Sequence, residues 1–286
     1  MQNQTVAVER VTSTLFWATL FMALLAYPAQ FVRAEEPGYQ LGVFPHLAAG
    51  QIETMFAPMA ADFSKALGRP VALKTKPSFE AFMGELDKQV YDIAFVQPFD
   101  YVWAHDRHGY IPLARRDELL VGLIVVKTDS PLRSLRGLKG KKIGLPPEVA
   151  AVSHLTKMAL LKARIDPRTQ TTLQYYKAHD SCLQQLLIGE IDACGTAAYP
   201  LRFFEDKWNV KFRVLAETPT ISHSLFIVHP RVSSQERDAI LKTILSWADT
   251  ESGKQLLEKG NLKGFIRVTD AEYNTVRAYS RTMQKK

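Results

Sequence analysis

The chain has 286 residues, with 36 Lys and Arg against 29 Asp and Glu, a formal net charge of +7 and 47% hydrophobic residues. That is enough for one large domain or two smaller ones with proper cores, and no internal repeat or low-complexity tract interrupts it. A basic balance attracts anions in general, but no Lys/Arg run exceeds a few residues, which argues against nucleic acid as a partner.

Arg10 precedes an apolar stretch from Leu15 to Ala26, and Val32-Arg33-Ala34 closes the segment. This pattern predicts a secretory signal peptide over residues 1–34, cleaved after Ala34. The alternative is an uncleaved anchor. Pro28, Gln30 and Arg33 interrupt the roughly 20 apolar residues that a spanning helix needs. Without Glu9, Arg10 and Arg33, 34 basic and 28 acidic residues leave a soluble exported chain of net charge +6.

From Tyr39 onward, strand-like and helix-like segments alternate. "YQLGVF" (39–44) predicts a strand. Ile52, Met55, Phe56, Met59, Phe63 and Leu67 then fall on one helical face, stopped by Gly68 and Pro70. "VALKT" reads as a strand, and Ser78 caps a helix carrying Phe79, Phe82, Met83 and Leu86. "DIAFV", "GLIVV", "KKIGL", "TLQYY", "IDACG", "KFRVLA" and "SLFIV" supply further strands. Helices are expected near 149–162, after His179, from a Ser233/Glu236 capping box to Trp247, and after Asp270. Such alternation predicts an α/β fold of mainly parallel sheets covered by helices on both faces. Ligands of such sheets sit at strand carboxyl ends, near helix N-termini. No Ser-His-Asp order, Gly-x-Ser-x-Gly or Walker-type loop is present, so neither an enzyme nor a nucleotide site is expected. No cofactor is called for.

The ordered pieces "LGVFPHLAAGQIETMFAPMAADFSKALGRPVAL", "DIAFVQPFDYVWAH", "GLIVVKTDSPLRSLRGLKGKKIG", "HDSCLQQLLIGEIDACG" and "GNLKGFIRVTDAEY" resemble the phosphonate/phosphite-type periplasmic substrate-binding proteins of ABC transporters. The resemblance implies a two-lobed Venus-flytrap in the periplasm. One lobe would hold residues 35–124 plus 221–286 and the other 125–220. The two crossovers would fall near Val126-Lys127 and Thr218–Ser222. It also implies a monomer that closes on a small anionic ligand and delivers it to an ABC permease. A second reading is a ligand sensor, of oxyanion or arsenite type, signalling to a membrane histidine kinase.

In this family the loop matching 148–152 carries hydroxyls and backbone N–H groups that hold the ligand's oxygens at a helix N-terminus. Here it reads Val149-Ala150-Ala151-Val152. Backbone donors at Ala150 and Ala151 remain, and Ser153 is the nearest hydroxyl. An aromatic hydroxyl of the family falls at Phe79, and the next contact region offers Gln97. Tyr199 and His223 align where aminophosphonate binders carry acids, which disfavours an aminophosphonate. His179, in "AHD", matches a cleft-facing His of the family.

His46 follows a strand end, and His46, His179 and His223 would converge on closure. They would suit an acidic ligand with apolar bulk resting on Phe79, Val149 and Val152, or, as a minor reading, a metal. Cys182, in the first turn of a helix, and Cys194, near the end of the next strand, should lie at similar height. Three readings stay open for them: a disulfide, two buried free thiols, or an arsenite-sensing pair.

Overall fold

The computed structural model describes residues 38–47 and 49–284. The expected signal peptide lies outside them. Among the described residues, no helix is long and apolar enough to cross a membrane.

Among the described residues, eleven strands form two sheets. The first contains β1 (Tyr39–Val43), β2 (Val71–Thr75), β3 (Ile93–Val96), β4 (Ile111–Arg116), β10 (Leu225–Val228) and β11 (Phe265–Arg267). Their order is β11-β4-β10-β3-β1-β2. The second contains β5 (Leu123–Lys127), β6 (Lys142–Leu145), β7 (Thr172–Tyr175), β8 (Ala193–Thr196) and β9 (Phe212–Glu217), ordered β7-β6-β8-β5-β9. The described helices are α1 (Ala49–Leu67), α2 (Phe79–Asp87), α3 (Pro98–His108), α4 (Ala151–Lys162), α5 (His179–Ile188), α6 (Ala198–Trp208), α7 (Ser234–Ser246), α8 (Glu251–Lys259) and α9 (Asn274–Gln284).

The α/β reading holds, with one correction: the sheets are mixed rather than mainly parallel. β1 pairs parallel with β2 and β3, and β6 with β7 and β8. Every pairing of β10, β4, β11, β5 and β9 is antiparallel. β10 and β5 enter their sheets directly from a passage and run antiparallel to both neighbours, while the helix-linked pairs β3 and β4, and β8 and β9, stay parallel with that strand between them.

A second correction concerns the first passage. Val126 and Lys127 lie inside β5 and pair with β9, so the chain changes sheet between Arg116 and Leu123. It returns between Glu217 and Leu225. The two passages bond to each other: Leu120 and Ile221 exchange both backbone hydrogen bonds, at 2.9 and 3.0 Å. Gly122 N–H donates to the Thr218 hydroxyl at 2.8 Å.

Side-chain alternation along β5 decides the second core. Leu123 and Val125 pack with Cys182, Leu183, Leu186, Leu201 and Phe204 of α5 and α6. Ile124 and Val126 face the opposite way, onto Ala159 and Leu160 of α4. The first sheet is built around aromatic rings. Phe95 lies 4.9 Å from Phe226 and 5.1 Å from Phe56, and Trp247 lies 5.6 Å from Phe63. The caps read from sequence are formed: Ser78 accepts from Ala81 N–H, and Ser233 and Glu236 close a capping box.

Cys182 and Cys194 are joined in a disulfide, with Cα atoms 6.0 Å apart. The bond ties α5 to β8 beside β6, where a Cβ on Gly144 would meet Cys182 Sγ at 2.9 Å. A free-thiol reading therefore does not describe this state. The closed loop has a sequence separation of 12, for which loop closure contributes about 3 kcal/mol. Reduction, or the double substitution Cys182→Ala with Cys194→Ala, should lower the Tm by roughly 6–12 °C. An unchanged melting curve would show that the tie adds nothing to stability.

Candidate functional site

A cavity of about 490 Å³ opens at the carboxyl ends of β1, β3 and β4. His46 and Leu47 enter it from the loop after β1, Thr54 and Met55 from α1, Phe95 from β3 and Arg116 from the last position of β4. Lys259, Asn261 and Leu262 close one side, and Tyr199 reaches in from α6 of the second half. Apolar Leu47, Met55, Phe95 and Leu262 share the lining with polar side chains, Gln51 among them.

Arg116 dominates the chemistry. Its Nη2 donates to Glu118 Oε1 and more distantly to the Asn261 carbonyl, at 3.5 Å. Its Nε is buried with no hydrogen-bond partner, and so is Glu118 Oε2. Burial lowers the Arg116 pKa, and the Glu118 carboxylate opposes that shift. Lys259, at the exposed end of α8, has no ion pair among the described residues.

His46 stacks on Phe44 at 4.4 Å between centroids, and its Nδ1 sits 2.9 Å from the Phe44 carbonyl. A carbonyl only accepts, so Nδ1 carries the proton and Nε2 is the acceptor. Burial pushes its pKa down to about 4. His223 uses Nδ1 to accept from Ser224 N–H at 2.7 Å, which places its proton on Nε2. Burial, then the positive charge of Arg116 and then His46, hold it well below the usual range.

His179 is engaged elsewhere, its Nδ1 lying 3.0 Å from the Thr196 hydroxyl at the end of β8. Burial lowers its pKa to about 4 as well. The three imidazoles thus do not form one cluster. Among the described residues, no group of three His, Cys, Asp or Glu is placed to hold a metal ion.

Of the candidates read from sequence, His46 and Tyr199 line the cavity, and His223 lies close enough to Arg116 and His46 for both to oppose its protonation. Phe79 opens α2, with its ring 6.0 Å from that of Phe44. The others meet at a second place. Gln97 caps α3 and reaches across to the start of α4: Oε1 accepts from Ala151 N–H at 2.8 Å. Its Nε2 donates to the Val149 carbonyl at 2.8 Å and to Asp100 Oδ1 at 2.9 Å. Ala150 is the buried N-cap of α4. Ser153 is fully buried, and its hydroxyl donates back to the Pro146 and Pro147 carbonyls. Its expected role as the replacement hydroxyl is therefore corrected, because that hydroxyl faces its own loop.

Sequence reasoning missed Arg116, Lys259 and Asn261. Arg116 ends β4, a strand that the sequence did not mark, because Pro112 and the Arg115-Arg116 pair break its apolar pattern. The rule that ligands meet strand carboxyl ends would have found it once the strand was known.

The low imidazole pKa values link stability to pH. His46, His154 and His179 at about 4, and His223 below its ordinary value, stay neutral when folded, while the unfolded chain protonates them below about 6.5. Stability is therefore complete above that value and falls as pH drops toward 4. Buried Asp100, raised to about 7, works in the opposite sense but is one group against four. The Tm should fall between pH 7.5 and pH 5, and a His179→Gln variant should lose less, by roughly 1–2 kcal/mol. Equal losses in the two proteins would remove His179 from this account.

Many solved structures share this architecture. PhnD1 from Prochlorococcus marinus, in complex with methylphosphonate, matches with a TM-score of 0.76 at 17% identity, covering 87% of this chain and 99% of that one. A binding-protein component of a phosphonate ABC transporter from Pseudomonas aeruginosa matches at 0.74 and 15%, covering 87% of each chain. The periplasmic aliphatic sulphonate binding protein SsuA from Escherichia coli matches at 0.61 and 12%, covering 87% and 88%. These likenesses establish the two-lobed binding-protein fold. No curated protein sequence matches the chain. The family profile described as "ABC transporter, phosphonate, periplasmic substrate-binding protein" matches residues 41–273, and the chain belongs to that family of periplasmic, phosphonate-type substrate-binding proteins.

Proposed function

We propose that this protein captures a small, singly charged organic anion with an apolar body and delivers it to an ABC permease. The two sheets, each with its helices, act as the lobes, moving about the paired passages at Leu120 and Ile221. The observation that carries this reading is Arg116 Nε, buried without a partner beside the 490 Å³ cavity that Arg116 lines.

Charge decides the class of ligand. Arg116 is opposed by Glu118, the imidazoles are neutral, and Lys259 adds one positive charge. A monoanion balances that sum. A compact dianion would leave charge uncompensated in a partly desolvated site, which is costly. Leu47, Met55, Phe95 and Leu262 offer an apolar wall to the rest of the molecule. Alkanesulfonates and short aliphatic carboxylates fit this description. An aminophosphonate does not, since Tyr199 and neutral His223 offer its amine no charge. Sensing through arsenite and thiols has no observation in its favour, because both cysteines are bonded to each other.

Thermal-shift and calorimetric titration with butanesulfonate, hexanoate, methylphosphonate, 2-aminoethylphosphonate and inorganic phosphate test the reading. A ligand at 100 times its Kd adds about 2.7 kcal/mol to the folded state. The monoanions should raise the Tm while phosphate does not, and Arg116→Ala should weaken their binding at least about tenfold. Tighter binding of dianions, or an Arg116→Ala variant that binds the monoanions unchanged, would overturn it.

A further inference from the structure

The start of α4 holds a neighbouring donor and acceptor, Ala151 N–H and the Val149 carbonyl, each 2.8 Å from the Gln97 amide. That pair is complementary to a carboxamide, which presents one oxygen and one N–H side by side. An oxyanion would have to displace Gln97 Oε1 to reach the Ala151 N–H. Gln97 is only 3% exposed, and its remaining amide hydrogen goes to buried Asp100. The two halves of the molecule also pack here. Ala151 and Leu155 belong to the apolar core of the first sheet, and the His154 ring lies 4.4 Å from that of Phe99.

We propose that Gln97 is an intramolecular occupant of the α4 N-terminus: it latches the two halves together and sets specificity by excluding compact oxyanions from that position. The small side chains at 149–152 follow from this role. Hydroxyls there would compete with the amide for the same donor and acceptor, whereas Ala150 and Ala151 let the first sheet's core close over them. The ligand's charged group is then left to Arg116 on the other side of the cleft.

Two substitutions break the same bond from opposite ends. Gln97→Leu keeps the bulk and removes the amide. Ala151→Pro removes only the N–H. Proline suits the first turn of a helix, and Ala150 already has the extended backbone (φ −67, ψ 141) that precedes proline. Hydrogen exchange of the full ligand-free protein, followed by mass spectrometry, should show the segment around residues 149–155 exchanging about tenfold faster in both variants, with the β5 to β9 core unchanged. Unchanged exchange in either folded variant overturns the latch.

The specificity half rests on the function proposed above. Gln97→Ala leaves the Ala151 N–H open and should bind inorganic phosphate or methylphosphonate at least about tenfold more tightly than the parent. Ala151→Pro, lacking that donor, should not. Butanesulfonate separates the two failures. If the parent binds butanesulfonate and Gln97→Ala gains no oxyanion affinity, exclusion by Gln97 is wrong. If the parent binds none of the monoanions, the proposed function is wrong, while the exchange result still decides the latch.

Discussion

Two backbone hydrogen bonds between Leu120 and Ile221 join the outward and return passages of the chain. Everything about the cleft depends on that short antiparallel contact. It holds the carboxyl end of β4, with Arg116, close to the segment carrying His223, and it sets how β5 and β9 enter the second sheet. The Gly122 N–H bond to the Thr218 hydroxyl extends the same contact. Short passages of this kind bend with little change elsewhere, since only a few backbone torsions must adjust.

The interior of the cleft is governed by the cost of removing charge from water. Imidazoles at 46, 179 and 223 yield to that cost and stay neutral. Burial lowers Arg116 too, with Glu118 opposing the shift, but a guanidinium starts so high that it keeps its charge. The result is a cleft in which His46 and His223 contribute hydrogen-bonding atoms of fixed tautomer while the guanidinium supplies the field. Such a division favours recognition by a single charged contact surrounded by neutral ones.

Much of the fold was legible because its signals are local. Ser78 and Ser233 announce their helices through bonds three residues long, and β5 is an unbroken apolar run. Strand direction was not legible: "SLFIV" looks the same whichever way it pairs, and β10 proved antiparallel to both neighbours. β4 was hidden by Pro112 and two arginines. At the site, Gln97 was recognised as a polar group in the right region, but its partners at Val149 and Ala151 lie more than fifty residues away, and spacing carries no trace of them. Ser153 was misread for the complementary reason: its true partners, the carbonyls of Pro146 and Pro147, are local backbone atoms that any sequence would offer.

The Cys182–Cys194 bond gives the two halves different histories. The first sheet and its helices contain no cysteine and owe nothing to oxidation. In the second half, the bond fastens the start of α5 to β8, and that same junction carries His179 and Thr196. Disulfides form outside the reducing cytosol. A chain kept in the cytosol would therefore carry a finished Arg116 wall opposite a wall still lacking its staple, so that the compartment itself completes one jaw of the trap.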